Sequence, residues 1–210
     1  DPDTALEDTL RALDDLVRQG KILYPAFSNF AAWQVMKAQY TAEMHRFARA
    51  VALQPMYNLV KRQAEVELLP MAESEGLGVC TYSPLGGGLL SGKYGTNRKP
   101  ETGRIVDNPM YNTRYSDAWM YETAADVTAL AQELGVHPVT LAVRWVGTHP
   151  AVTCPIIGAR NVKQLEPALQ SVNLSLDAGT RARVSALSPE PSPATDRSEE
   201  QKGVMYAGAR

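Results

Sequence analysis

Short apolar strands alternate with amphipathic helical stretches along most of this chain, and each strand runs out into polar, glycine-bearing residues. Few folds accept that alternation. A strand that returns parallel to its predecessor needs a crossover long enough to hold a helix, so the pattern predicts an α/β protein with a parallel sheet covered by helices. Four strands are readable, at 22–26, 51–54, 79–82 and 155–157, although Pro25 fits poorly inside the first. A (β/α)8 barrel carries its site on the carboxyl ends of eight strands and typically needs ~250 residues. The 210 residues here are expected to form half of one, with four parallel strands side by side in chain order and helices on the outer face.

Helix signals fill the intervals. Thr4 and Glu7 have the spacing of a capping box ahead of the stripe Leu10, Leu13, Leu16 and Val17, which stops at Gly20. Asn29 is placed to cap a second helix over 31–48, and a third is expected over 65–75. Residues 86–115 are rich in Gly, Pro, Asn and Arg and read as one long loop, a length that is usually functional or disordered. Helices follow over 116–134 and from Pro138 to about His149-Pro150; Asn161 caps another to Leu169, and a last one covers 177–187. The Pro-, Ser- and Glu-rich segment 188–210 is expected to be a mobile tail, leaving 1–187 as the folded unit.

Composition narrows the function classes. The net charge of −2 does not supply the clustered cations that phosphate-backbone binding requires, so no nucleic-acid partner is expected. No apolar run approaches the ~20 residues of a membrane span, and the acidic start Asp1-Pro2-Asp3-Thr4 resembles neither a signal nor a transit peptide; a cytoplasmic protein without a membrane partner is expected. Cys80 and Cys154 both sit in apolar strand-like runs and read as buried free thiols. Trp33, Trp119 and Trp145 lie on helical stretches and read as packing residues. His45, His137 and His149 read as structural.

The run from Val79 to Tyr94, VCTYSPLGGGLLSGKY, carries the most chemistry. A strand leads into a Pro/Gly turn and then to a lysine. Tyr82 can offer an aromatic face, the glycines let backbone N–H groups approach an anion, and Lys93 adds charge. The combination suits a pyrophosphate-bearing cofactor with a flat ring; by itself it equally suits an ordinary surface loop.

Seven motifs stand in order. They are Asp1-Pro2-Asp3-Thr4, Gly20-Lys21-Ile22, Ser28-Asn29-Phe30, Gln54-Pro55-x-Tyr57-Asn58, Tyr82-Ser83-Pro84-Leu85, Leu90-Ser91-Gly92-Lys93-Tyr94 and Pro155-Ile156-Ile157-Gly158-Ala159-Arg160-Asn161. Over about 1–187 they resemble the C-terminal half of the aldo-keto reductases. The branch that matches best contains aflatoxin-aldehyde reductases, bacterial general-stress reductases and potassium-channel β-subunits. The resemblance implies the C-terminal half of a TIM barrel that binds NADPH across its strand ends. It implies that Ser28 and Asn29, helped by Gln54, hold the nicotinamide carboxamide and that Tyr82 stacks on its ring. Ser83, Pro84, Leu85, Gly86 and Gly87 would line the pyrophosphate, with Lys93 and Arg104. Gly158, Arg160 and Gln164 would hold the adenosine end and the 2′-phosphate. Read without the family, Ser28-Asn29 serves as a helix cap, Gln54 satisfies a backbone group, Tyr82 fills a core and Arg160 is a solvated charge.

The sequence departs from the family in three places. The family's catalytic tyrosine, lysine, aspartate and histidine precede the Asp-Pro-x-Thr motif, so the resemblance assigns no catalytic residue within 1–210. Pro167 and Ala168 stand where the family usually has a Glu-Asn pair on adenine, and Tyr24-Pro25-Ala26 replaces the usual Tyr-Ile-Gly. Two readings follow. In one, the chain is part of an NADPH-dependent reductase of aldehydes or ketones, acting on a small carbonyl substrate once completed by a first half-barrel. In the other, it is a non-catalytic nucleotide-binding or interaction half-barrel. Open sheet edges would then favour homo-oligomers.

Overall fold

The structure, a computed structural model, describes residues 3–195. Four strands, β1 (Ala26–Ser28), β2 (Ala52–Gln54), β3 (Gly78–Thr81) and β4 (Cys154–Pro155), form one parallel sheet in chain order. Helix α1 (Leu6–Arg18) precedes β1, α2 (Ala32–His45) joins β1 to β2, and α3 (Leu68–Ser74) joins β2 to β3. Between β3 and β4 lie α4 (Arg104–Asp107), α5 (Pro109–Arg114), α6 (Ala118–Glu133) and α7 (Pro138–Gly147). Two more, α8 (Val162–Leu169) and α9 (Ala178–Ser185), follow β4. This is the expected α/β arrangement, a partial (β/α)8 barrel of four parallel strands with flanking helices. No helix among the described residues is long and apolar enough to cross a membrane.

Alternation along the strands sorts the side chains between two faces. Phe27, Leu53 and Val79 point into the helix layer and are buried, whereas Ala26, Ser28, Gln54 and Cys154 are exposed on the other face. Among the described residues β1 and β4 each pair with a single strand.

Several expected boundaries move, each for a physical reason. The first strand is 26–28, not 22–26: Pro25 has no N–H to give, and the ladder opens with its carbonyl accepting from Val51 N at 3.0 Å. Leu23 and Tyr24 are left exposed before it. Helix α1 begins at Leu6 with extended Ala5 as its N-cap, so Thr4 does not occupy the capping position. In the second helix the N-cap is Ala31, whose N–H donates to Gln34 Oε1 at 2.8 Å, and Asn29 is released from that duty. The segment 86–115 is not one long loop, since it holds a 3-10 turn at 86–91 and helices α4 and α5. The thiols are not buried either: Cys154 is exposed and Cys80 half-buried, because both project from the face that the helices do not cover. Trp33 is exposed, against its expected packing role, whereas Trp145 is fully buried. The supposed tail starts with an anchored residue, since Ser188 is buried and its Oγ accepts from Arg62 Nη1 at 3.3 Å. Asp1, Pro2 and residues 196–210 lie outside the described residues.

A polar cluster ties the β2–α3 segment to the C-terminal helices. Glu65 accepts from Tyr57 Oη at 2.5 Å and takes both Nε and Nη2 of Arg62, at 3.0 and 2.8 Å. Arg62 Nη1 also donates to the Ser185 carbonyl at 3.0 Å. The Trp145 ring lies 5.1 Å from Tyr57, is flanked by the Arg62 and Arg181 guanidinium groups, and donates its Nε1–H to Ser185 Oγ. Burial alone would raise the Glu65 carboxyl, but the Arg62 guanidinium and the Tyr57 hydroxyl outweigh it and hold the group below the usual carboxylate range. A depressed folded-state value contributes stability that is complete above the ordinary carboxylate range and is lost as pH falls through the folded value. Glu65→Ala is therefore expected to lower unfolding free energy by about 2–3 kcal/mol, less than for a fully buried pair because both ends keep some solvent. Urea midpoints should fall between about pH 6 and pH 3 in the wild type and fall less steeply in Glu65→Gln.

Candidate functional site

The parallel register sets the carboxyl ends of the strands side by side. Ser28 lies opposite Gln54, and Tyr82, just past β3, bridges to Met56. Side chains then close a chain of hydrogen bonds. Ser28 Oγ donates to the Gln54 carbonyl at 2.9 Å, Asn29 Nδ2 donates to Ser28 Oγ at 3.2 Å, and Tyr82 Oη donates to Asn29 Oδ1 at 2.7 Å. Asn29 reaches this position in the left-handed region, φ 59°, a conformation that asparagine tolerates better than most residues. The exposed carboxamide of Gln54 has no hydrogen-bond partner among the described residues. Asn29, Gln54 and Tyr82 open onto a cavity of about 350 Å³ whose apolar wall includes Phe30, Met56 and Leu68. The structure thus assembles four predicted positions from three separate stretches of sequence.

Beyond Tyr82 the chain turns sharply. Ser83 is left-handed at φ 57°, and Gly86, Gly87 and Gly88 follow at 56°, 69° and 102°. Fully buried Asn58 holds the turn from beneath: its Nδ2 donates to the Ser83 carbonyl at 2.9 Å while its Oδ1 accepts from Val60 N at 3.0 Å. Pro84 is buried. Tyr111 of α5 packs so closely on the turn that a Cβ at Gly87 would lie 2.8 Å from its ring. Arg104 and Arg114 approach the same ring at 5.3 and 5.2 Å. Lys93 is exposed just after Gly92. Sequence reading named Gly86, Gly87, Lys93 and Arg104 but missed Tyr111 and the role of Asn58. The signal for α5 was present in Asn108-Pro109: the asparagine side chain caps the helix and the proline occupies its first turn.

A third group sits at the start of α8. Asn161 caps the helix as expected, accepting from Gln164 N at 3.0 Å, and Gln164 Oε1 accepts from Arg160 N at 3.2 Å. Gly158 and the Arg160 side chain are exposed. Among the described residues no hydrogen bond joins this group to the Ser28–Tyr82 set. Leu85 supplies the mechanical link, since it packs with Ile157 against Val139, Val143 and Ala168. Ala168 is thus a packing residue, and the Pro167 carbonyl accepts from Thr140 Oγ1 at 2.6 Å. Lys93, Arg104 and Arg160 have no carboxylate partner among the described residues.

The strongly perturbed groups stand apart from the cavity wall. Burial pushes the Tyr115 phenol up to about 12. Burial and the Glu65 hydrogen bond raise Tyr57 well above its ordinary value. Burial and nearby Arg181 lower His149, whose Nδ1 accepts from Ala151 N at 3.2 Å. His137 caps α7 through Nδ1. No group of three or more metal-binding side chains occurs among the described residues.

A profile of the Aldo/keto reductase family matches residues 1–189. The chain belongs to this family. Similar members include the uncharacterized oxidoreductase YrpG of Bacillus subtilis, 38% identical over 83% of this chain and 51% of the relative. Protein tas of Escherichia coli is 34% identical over 89% of this chain and 54% of its own length. A probable voltage-gated potassium channel subunit beta of Arabidopsis thaliana is 30% identical over 83% and 54%. The chain therefore spans about half the length of the curated relatives it matches.

The turn of this aldo/keto reductase chain is specified by sterics that mutation can test. Gly87→Ala must carry a Cβ at positive φ against Tyr111, and should cost about 1–2 kcal/mol for the backbone alone. Asn58→Ala strands the buried Val60 N–H and leaves the Ser83 carbonyl with Gly86 N as its only donor among the described residues, and about 1–3 kcal/mol is expected for the stranded N–H. Thermal or urea unfolding of both variants measures these costs.

Proposed function

We propose that this chain is the nucleotide-binding part of an NADPH-dependent reductase of aldehydes or ketones. The hydrogen-bonded set of Ser28, Asn29, Gln54 and Tyr82 carries the reading. It places two carboxamides, a hydroxyl and an aromatic ring at one edge of a parallel sheet, where barrels of this kind hold their ligands. A nicotinamide carboxamide needs both donors and acceptors, and Gln54 offers both with Asn29 held beside it. Tyr82, braced through its hydroxyl, presents its ring to the nicotinamide. The turn from Ser83 to Gly87 offers backbone N–H groups to the pyrophosphate, with Lys93 and Arg104 supplying charge. Gly158, Arg160 and Gln164 take the adenosine end, Gln164 acting by fixing the Arg160 backbone. The residues present fit the cofactor except at adenine, where Ala168 is committed to packing.

Bound NADPH supplies the hydride. The protein's part is to fix the ring and to exclude water, and a proton must reach the carbonyl oxygen. In this reading no residue of 1–210 gives that proton. Tyr57 and Tyr115 hold theirs too tightly, and neither they nor His149 lines the cavity. The donor then comes from a first half-barrel. Such a partner would cover the exposed sheet face and the β1 edge, and a second copy of this chain could occupy the same edges.

Titration of the purified chain with NADPH and NADH tests the reading. Weak binding with NADPH preferred is expected. Arg160→Ala should remove the preference, reducing NADPH affinity by about tenfold to a hundredfold with little effect on NADH, because only a fixed cation rewards the additional phosphate. Equal loss for both cofactors would remove Arg160 from the 2′-phosphate, and no binding at all would favour the interaction-protein alternative. NADPH-oxidation assays with reactive aldehydes should show no saturable turnover by the 210-residue chain.

A further inference from the structure

Cys80 and Cys154 lie 74 positions apart in sequence, yet they are directly paired residues of β3 and β4. Both project onto the sheet face that the helices leave uncovered, and their sulfur atoms stand 3.6 Å apart in hydrogen-bond contact. In the chain by itself Cys154 is exposed, so a reagent can reach the pair as long as nothing covers this sheet face. Adjacent strands are about 4.8 Å apart, inside the Cα separation of about 4.4–6.8 Å that disulfides accept. Closing the sulfur pair to about 2.0 Å then needs side-chain rotation, with no change of strand register.

The local ladder gives such a link something to do. Strand β4 is two residues long, and Pro155 cannot donate to it. Beside the short ladder itself, the β3–β4 junction is held by Thr153 N to the Val79 carbonyl at 2.9 Å, Ile156 N to the Thr81 carbonyl at 2.7 Å, and a side-chain bond from Val79 N to Thr153 Oγ1 at 3.0 Å. Tyr82 follows Cys80 by two residues, and Gly158 and Arg160 follow Cys154 by four and six.

We propose that Cys80 and Cys154 are a thiol pair that small disulfides such as oxidised glutathione convert reversibly into a disulfide stapling β3 to β4. The Cys154 thiol loses its proton, and the thiolate attacks one sulfur of glutathione disulfide, expelling one glutathione thiolate. Cys80 then loses its proton and attacks Cys154 Sγ, expelling the second. Two S–H bonds of the protein are exchanged for one S–S bond, and one glutathione disulfide is reduced to two glutathione molecules. The hydrogen bond with Cys154, aided by burial, raises the Cys80 thiol, in keeping with Cys154 reacting first. A link at this exposed position is readily reduced again.

The test is incubation of the native 210-residue chain with glutathione disulfide, acid quenching, and mass spectrometry of the intact chain and of its tryptic peptides without reduction. The wild type should lose the mass of two hydrogens, carry no glutathione, and yield peptide 63–93 joined to peptide 145–160. Added reduced glutathione should restore both thiols. Cys80→Ser should stop as a stable mixed disulfide with glutathione at Cys154. Wild-type chain that accumulates stable glutathione adducts, that crosslinks between molecules instead, or that stays fully reduced would overturn the proposal. The wild-type measurement decides the matter even if a variant fails to fold, and it is independent of nucleotide binding.

Discussion

Parallel registration of three short strands is the constraint on which the candidate site depends. Ser28 lies opposite Gln54, Leu53 opposite Val79, and Met56 bridges to Tyr82. Because side chains alternate, a slip of one residue would move Ser28 and Gln54 into the helix layer and turn Phe27 and Leu53 out to solvent. Burial of those apolar residues therefore fixes the polar ones at the edge. The Ser28–Asn29–Tyr82 hydrogen bonds need only local geometry once the register is set.

The flanks of the site are held by packing rather than by ligand-facing chemistry. Asn58 spans from the β2–α3 segment to the Ser83 carbonyl, Tyr111 closes over Gly87, and Leu85 joins the turn to the β4–α8 corner. Each lies between two elements and is shared by both, so the turn and the start of α8 are positioned by one apolar contact region. The Tyr57–Glu65–Arg62 cluster does comparable work on the far side, coupling the β2–α3 segment to α7 and α9. The extent of burial explains why those tyrosine and histidine groups titrate abnormally without lining the cavity.

Local signals were read well where one residue type has one dominant backbone use. Asn161, Asp177 and Pro138 open helices where expected, because a capping oxygen or a missing N–H acts within a single turn. The first strand was read too early because its apolar residues outweighed Pro25, whose missing N–H lets it only accept at the opening of the ladder and keeps it out of the strand interior. Helices α4 and α5 were hidden in a segment whose Gly and Pro content suggests a loop, although Asn108-Pro109 marked one start. Of the site, the individual residues were legible as family motifs, but their mutual hydrogen bonds and the part played by Tyr111 were not.

By itself the sequence determined the class of fold, the order of its four strands and the family, since periodicity and motif spacing are properties of adjacent residues. Only the tertiary structure decided which residues share a surface. It released Asn29 from capping a helix and handed it to Tyr82, placed Ala168 in the apolar contact beneath Leu85, and brought Cys80 within 3.6 Å of Cys154. Those outcomes depend on strand register and on how helices cover one face of the sheet. Both are set by the burial of apolar side chains far apart in the chain, which no local pattern encodes.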